Sequence, residues 1–171
     1  MWKAWTDPEE VKKWWGPKDF AAPEIKIDLT VGGKYLYCMG VAGLDGVVKD
    51  FCISGKFTEI VPMKRIVSTL SFADENGNPV PAKYYGMPGD WPMEVIATVT
   101  FEGVEDSKTR LTVQEVGIPG EMILLSPKIL PLLLGRLIKY NFQDQTSAPM
   151  DHYEYLIYCN EEVRYVIRFL V

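Results

Sequence analysis

Few residues in this chain have chemistry to offer, and their spacing limits what that chemistry is. His152 is the single histidine, so a multi-histidine metal site is impossible. No serine or cysteine nucleophile stands beside it in a recognisable motif, and the adjacent Asp151 does not complete a triad. His152 therefore reads as a surface or structural residue. Gly32-Gly33, Gly16-Pro17 and the GMPG run at 86–89 lack a phosphate-loop pattern and read as turns. Cys38, Cys52 and Cys159 are odd in number and widely spaced, with no CxxC pair. That pattern predicts neither a disulfide scaffold nor a structural zinc, but buried small hydrophobes in a reducing cytosol. The sequence thus predicts no catalytic motif, no cofactor and no metal.

Carboxylates and aromatics offer more. Taking Lys34, Lys56, Lys108 and Arg110 as solvent-facing fixes the strand parity, and that parity sends Glu59 and Glu115 toward the concave side of a sheet. Each is either a rim residue, wetted or paired with a base, or a group in a dry cavity. In a cavity it would orient a polar ligand group or act as an acid-base residue. The same alternation sets Tyr35, Tyr37, Phe51, Phe57, Phe72 and Met93 on the concave face, with Trp14, Trp15 and Trp91 near its ends. Such a set is either packed core or the lining of an apolar cavity for a lipid-like or polycyclic molecule.

The elements that must position these residues are legible in the periodicity. Asp7 as N-cap, Pro8 at N1 and Glu10 at N3 open a capping-box-like helix, PEEVKKWW, that Gly16-Pro17 ends. Residues 1–6 read as the tail of a preceding helix. From Glu24 the period becomes two: Ile25, Ile27, Leu29 and Val31 alternate with polar residues as a half-buried strand. Gly32-Gly33 turns the chain into a return strand over 34–41, followed by strands over 50–57 and 65–72. Residues 73–92, with four Pro and three Gly, form a long ordered loop of the kind that carries function. Residues 93–101 and 108–116 form a hairpin, so the six strands make an antiparallel sheet. A Leu-rich helical stretch then reaches Tyr140, kinked at Pro127 and Pro131. Val163 to Val171 has the β-branched and aromatic content of a strand.

Composition bounds the rest. The 171 residues, 47% hydrophobic and 24% charged, suit one globular domain that folds without staples. A net charge of −5 and a pI near 5.0 argue against a nucleic-acid surface. The start, MWKAWTDPEE, has no apolar signal-peptide core. Met122 to Ile138 is too short and too interrupted by Pro, Gly and charge for a membrane span, so the sequence predicts a cytoplasmic protein.

Several motifs together carry a resemblance: WKAWTDPEEVKKWWGP at 2–17, IKIDLTVGGKYLY at 25–37, GKFTEIVPMKRIV at 55–67, FADENGN at 72–78 and TVTFEG at 98–103. Over residues 2–119 the chain resembles the family of homologues of the activator of heat-shock-protein-90 ATPase, within the START-like (SRPBCC, birch-pollen-allergen-like) helix-grip superfamily. The resemblance implies an α+β fold: a curved antiparallel sheet packed on a C-terminal helical segment, with two short N-terminal helices. One START-like domain would span 1–171, with 120–171 atypical. Family members normally begin with a strand ahead of the first helix, whereas this chain starts inside that helix. Either Val163–Val171 supplies the absent strand, from the same chain or a neighbour, or the reading frame is truncated or altered.

The function this implies is non-catalytic binding of a hydrophobic small molecule between sheet and helix. Its expected lining is Trp15, Tyr35, Tyr37, Phe51, Phe57, Phe72, Trp91 and Met93, with Glu59 and Glu115 as polar groups. Two alternatives stay open. One is a chaperone-cofactor-like module, marked by an exposed apolar patch; the other is a cyclase- or hydrolase-like enzyme using a cavity carboxylate. The incomplete sheet and the apolar 122–138 stretch make a homodimer plausible.

Overall fold

The computed structural model describes residues 1–17, 20–42, 48–103, 109–119 and 167–170. Two short helices open the chain, α1 (Trp2–Thr6) and α2 (Pro8–Trp14). Asp7 separates them: its backbone N–H donates to the Lys3 carbonyl, and its carboxylate accepts the Glu9 N–H at 3.0 Å. Pro8 then stands at the first helical position, where no N–H is needed. Glu10 does not close the expected capping box; it pairs with Lys13 at 2.9 Å, one turn on. Val11 and Trp14 are fully buried, and the Trp14 indole N–H donates to the Ala4 carbonyl at 2.7 Å, which ties α2 to α1.

Seven strands follow in one antiparallel sheet whose spatial order is the chain order: β1 (Ile25–Ile27), β2 (Lys34–Ala42), β3 (Val48–Val61), β4 (Arg65–Ala73), β5 (Val95–Gly103), β6 (Thr109–Val116) and β7 (Ile167–Leu170). β1 is shorter than the alternation predicts. The chain turns at Asp28, whose carbonyl accepts the Thr30 N–H, and Val31 is 67% exposed. Gly33 makes that turn possible, since a Cβ there would stand 2.2 Å from the Asp28 carbonyl oxygen.

Register sets the inner face in rows. Ile25, Tyr37, Ile53 and Phe72 form one; Phe57, Ser68, Ala97 and Glu115 another; Ile66, Val99 and Val113 a third. The core lies on this face, and α1 and α2 pack against one part of it: Trp2 meets Phe101 edge-on with ring centroids 5.2 Å apart.

The cysteine expectation needs correction. Cys38 and Cys52 are disulfide-bonded. Fourteen residues apart in sequence, they are direct cross-strand partners in the β2–β3 hairpin, with Cα atoms 4.1 Å apart. The Cys38 N–H points the other way, to the Glu24 carbonyl, so this is a non-hydrogen-bonded pair, the type that brings side chains closest. Both are buried, as expected, but the inference from free thiols to a reducing cytosol loses its premise. Cys159 and His152 lie outside the described residues.

β7 falls inside the predicted terminal strand and pairs with β6, Val113 opposite Ile167 and Arg110 opposite Leu170. The Leu-rich stretch and its packing on the sheet lie outside the described residues. Among those described, no helix is long and apolar enough to cross a membrane.

Between β4 and β5 runs the long loop, with a 3-10 turn over Ala82–Tyr85. Asp74 shapes its base by accepting the Asn76 and Asn78 backbone N–H groups and the Asn78 side-chain amide. These bonds, the Asn78 amide foremost, hold the Asp74 carboxyl below its ordinary range. Tyr85 reaches back between two strands: its hydroxyl accepts the Cys52 N–H at 3.1 Å and donates to the Ala73 carbonyl at 2.5 Å.

Candidate ligand-binding face

The inner face divides into a small-residue floor and aromatic walls. Gly55, Ser68 and Ala97 lie on the three adjacent central strands β3, β4 and β5. Tyr35 crosses the floor. It is the cross-strand partner of Gly55, and a Cβ at Gly55 would stand 2.8 Å from Tyr35 Cε1 and 1.9 Å from the Thr69 carbonyl oxygen. The missing side chain lets the Tyr35 ring extend over β3 and donate its hydroxyl to that carbonyl at 2.7 Å.

One wall runs Trp15, Tyr37, Tyr35, Phe57, with successive ring centroids 4.9, 4.8 and 5.4 Å apart. The other joins Phe51, Phe72, Tyr85 and Trp91: Phe51 lies 5.5 Å from Phe72 and 4.6 Å from Tyr85, and Phe72 lies 5.1 Å from Trp91. Aromatic pairs at these separations contribute about 1 kcal/mol each beyond the area they bury.

Glu115 stands at the end of the Phe57, Ser68, Ala97 row, half-buried. Desolvation pushes its carboxyl up to about 7. Among the described residues no hydrogen bond or ion pair reaches it. Burial also raises the Tyr35 phenol, opposed by a Ser68 hydroxyl hydrogen bond and reinforced by the Glu115 and Glu94 charges. Tyr37 is raised by burial and by its neighbour Tyr35. A carboxyl whose burial favours its neutral form, the Tyr35 and Tyr37 phenols and the Ser68 hydroxyl thus share a largely apolar face, able to orient one polar group of an apolar ligand.

Two expected site residues lie elsewhere. A β-bulge between Phe57 and Glu59 advances β3 by one residue, so Ile60 rather than Glu59 shares the inner row with Ile66. Glu59 is turned to the outer face and paired with Arg65, whose Nε donates to it at 3.0 Å. Met93 precedes β5, is 50% exposed and takes no part in the aromatic cluster. Conversely, periodicity did not single out Gly55, Ser68 or Tyr85, and it placed Ala97 only among the apolar residues of its strand. Gly55 had a signal, a glycine inside a strand; Tyr85, arriving from a loop, had none.

A family model described as Activator of Hsp90 ATPase homolog 1-like protein matches residues 1–126. The chain belongs to this family. Solved structures share the fold. A Mycobacterium smegmatis protein is 22% identical, covering 86% of this chain and 83% of that one with a TM-score of 0.62. An Arthrobacter aurescens protein is 25% identical over 90% and 83%, with a TM-score of 0.59. A protein from Silicibacter pomeroyi, itself named for the family, is 19% identical over 80% and 83%, with a TM-score of 0.57. No curated protein matches the chain. Membership is consistent with the START-like superfamily, and the curved antiparallel sheet with few helices fits its helix-grip architecture.

Proposed function

We propose that the inner face binds a hydrophobic small molecule without covalent chemistry, with Glu115 orienting the ligand's polar group. The floor of Gly55, Ser68 and Ala97 carries this reading. Ser68 and Ala97, small residues on adjacent central strands flanked by two aromatic walls, stand where a core would place Leu or Phe, while the Tyr35 ring occupies the space over Gly55. The walls supply apolar area at roughly 25 cal/mol per Å². Trp15, Tyr35, Tyr37, Phe51, Phe57, Phe72 and Trp91 belong to the walls; Glu115 supplies a carboxyl end.

The raised Glu115 carboxyl also supports a second reading, an acid-base residue acting on the bound molecule. The family description supports a third, a chaperone-directed interaction module. Native mass spectrometry of purified protein separates them. The binding reading expects one co-purifying small molecule per chain, released unchanged. A chain that emerges bare and takes up nothing from a lipid extract counts against it.

A further inference from the structure

The outer face of β1 to β3 carries a feature the inner face does not explain. Lys34 and Lys56 are direct cross-strand partners, both exposed. Lys26, opposite Leu36 on β1, is the diagonal neighbour of Lys34. Like charges facing each other across a sheet are destabilising, and a Thr or Gln at either position would avoid the repulsion. Among the described residues neither Lys34 nor Lys56 forms an ion pair, while Lys26 is held by Glu24 at 2.6 Å. All three lysines line one groove of about 730 Å³.

Hydroxyls share that groove. Ser54 and Ser71 are buried in it, and the Ser54 hydroxyl donates to the Gly77 carbonyl at 3.1 Å. Thr69 Oγ1 accepts the Lys56 backbone N–H at 3.2 Å, which leaves its own proton to donate. The carboxylates present are Asp28, which accepts the Thr30 hydroxyl, and Glu94. With Lys26 matched by Glu24, the Asp28 and Glu94 carboxylates repel an extended polyanion but leave room for a compact one centred on Lys34 and Lys56.

We propose that this outer groove binds the phosphoryl group of a small molecule, gripped between the Lys34 and Lys56 ammoniums. The groove also touches Ile27, Tyr35 and Gly55, but the two lysines that would hold the ligand point away from the inner face. The probe is inorganic phosphate, titrated against sodium chloride at matched ionic strength, with thermal unfolding as readout. The native protein should show a saturable rise in melting temperature. K34Q/K56Q should lose it, with affinity at least about tenfold weaker for the charge-assisted bonds removed. Without phosphate that variant should melt no lower than the native protein, because relieving the repulsion offsets the substitutions. Equal phosphate responses in the two proteins, or none in either, overturn the proposal. Sedimentation with phosphatidic-acid vesicles that K34Q/K56Q abolishes would assign the phosphoryl group to a lipid headgroup. Saturable phosphate binding without sedimentation assigns it to a soluble ester.

Discussion

Tyr35 on β2 and Glu115 on β6 have three strands between them, yet the Glu115 carboxylate acts on the Tyr35 phenol. In a flat sheet the two would stand about 19 Å apart, four strand spacings. The curl of the sheet shortens that gap and turns both side chains toward the same interior. Both stand on the inner face, on either side of the strands that carry Gly55, Ser68 and Ala97, which is the arrangement the ligand proposal rests on.

Glu115 makes stability depend on pH in a defined direction. Its folded value of about 7 lies above the ordinary 4.5, so the folded state holds the extra proton between those values. Its contribution to stability is therefore fully present below pH 4.5, falls as pH rises toward 7, and is lost beyond. E115Q lacks this slope and gains about 2 kcal/mol over the native protein at pH 8, after a discount for partial exposure. Urea unfolding at pH 5 and pH 8 checks both signs.

Gly55 admits no side chain. G55A places a Cβ against the Thr69 carbonyl and under the Tyr35 ring, and should cost about 3 kcal/mol or prevent folding. Y35F removes only the hydroxyl and leaves that carbonyl without its donor, costing about 1 to 2 kcal/mol. Denaturant midpoints for the two variants should rank in that order.

The Tyr85 hydroxyl closes the open end of the β3–β4 ladder. Y85F removes both bonds at once, for about 2 kcal/mol. Because the Cys52 N–H loses its acceptor, its hydrogen exchange should accelerate more than that of Ile66 in the same sheet.

The Cys38–Cys52 bond closes a short loop. By loop length alone, reduction or C38S/C52S should cost about 3 kcal/mol. Unfolding curves with and without dithiothreitol, alongside the double variant, measure it; coincident curves for native and reduced protein would contradict the bond.

β7 covers the outer edge of β6. Deleting residues 160–171 removes this strand and exposes unpaired backbone groups along Arg110–Val113. The shortened chain should aggregate or melt lower, as read by light scattering and calorimetry. An unchanged melting temperature would show that β7 contributes nothing to the domain.

How legible this was in the sequence depended on whether a local pattern governed the outcome. Asp7-Pro8 set both helix boundaries because capping chemistry is local. Alternation set the inward face of β2 and β4, since a half-buried strand leaves no other choice. Alternation failed where one residue was inserted: Thr58, extra at the bulge, reverses the parity on which the Glu59 expectation depended. It failed again at Val31, where a turn preceded the end of the apolar pattern. Cys38 and Cys52 looked unrelated along the chain because their pairing follows from hairpin register, which spacing alone does not supply. Tyr85 depended on a loop folding back, which no periodicity encodes.

The small-residue floor is tested most directly by filling it. A neutral fluorophore, N-phenyl-1-naphthylamine, should bind the native protein saturably at one site per chain, with emission blue-shifted by the apolar surroundings. A97F, which places a ring on the floor between Ser68 and Glu115, should abolish that binding while the protein keeps a cooperative melt. Undiminished uptake by folded A97F, or no uptake by the native chain, would contradict the account.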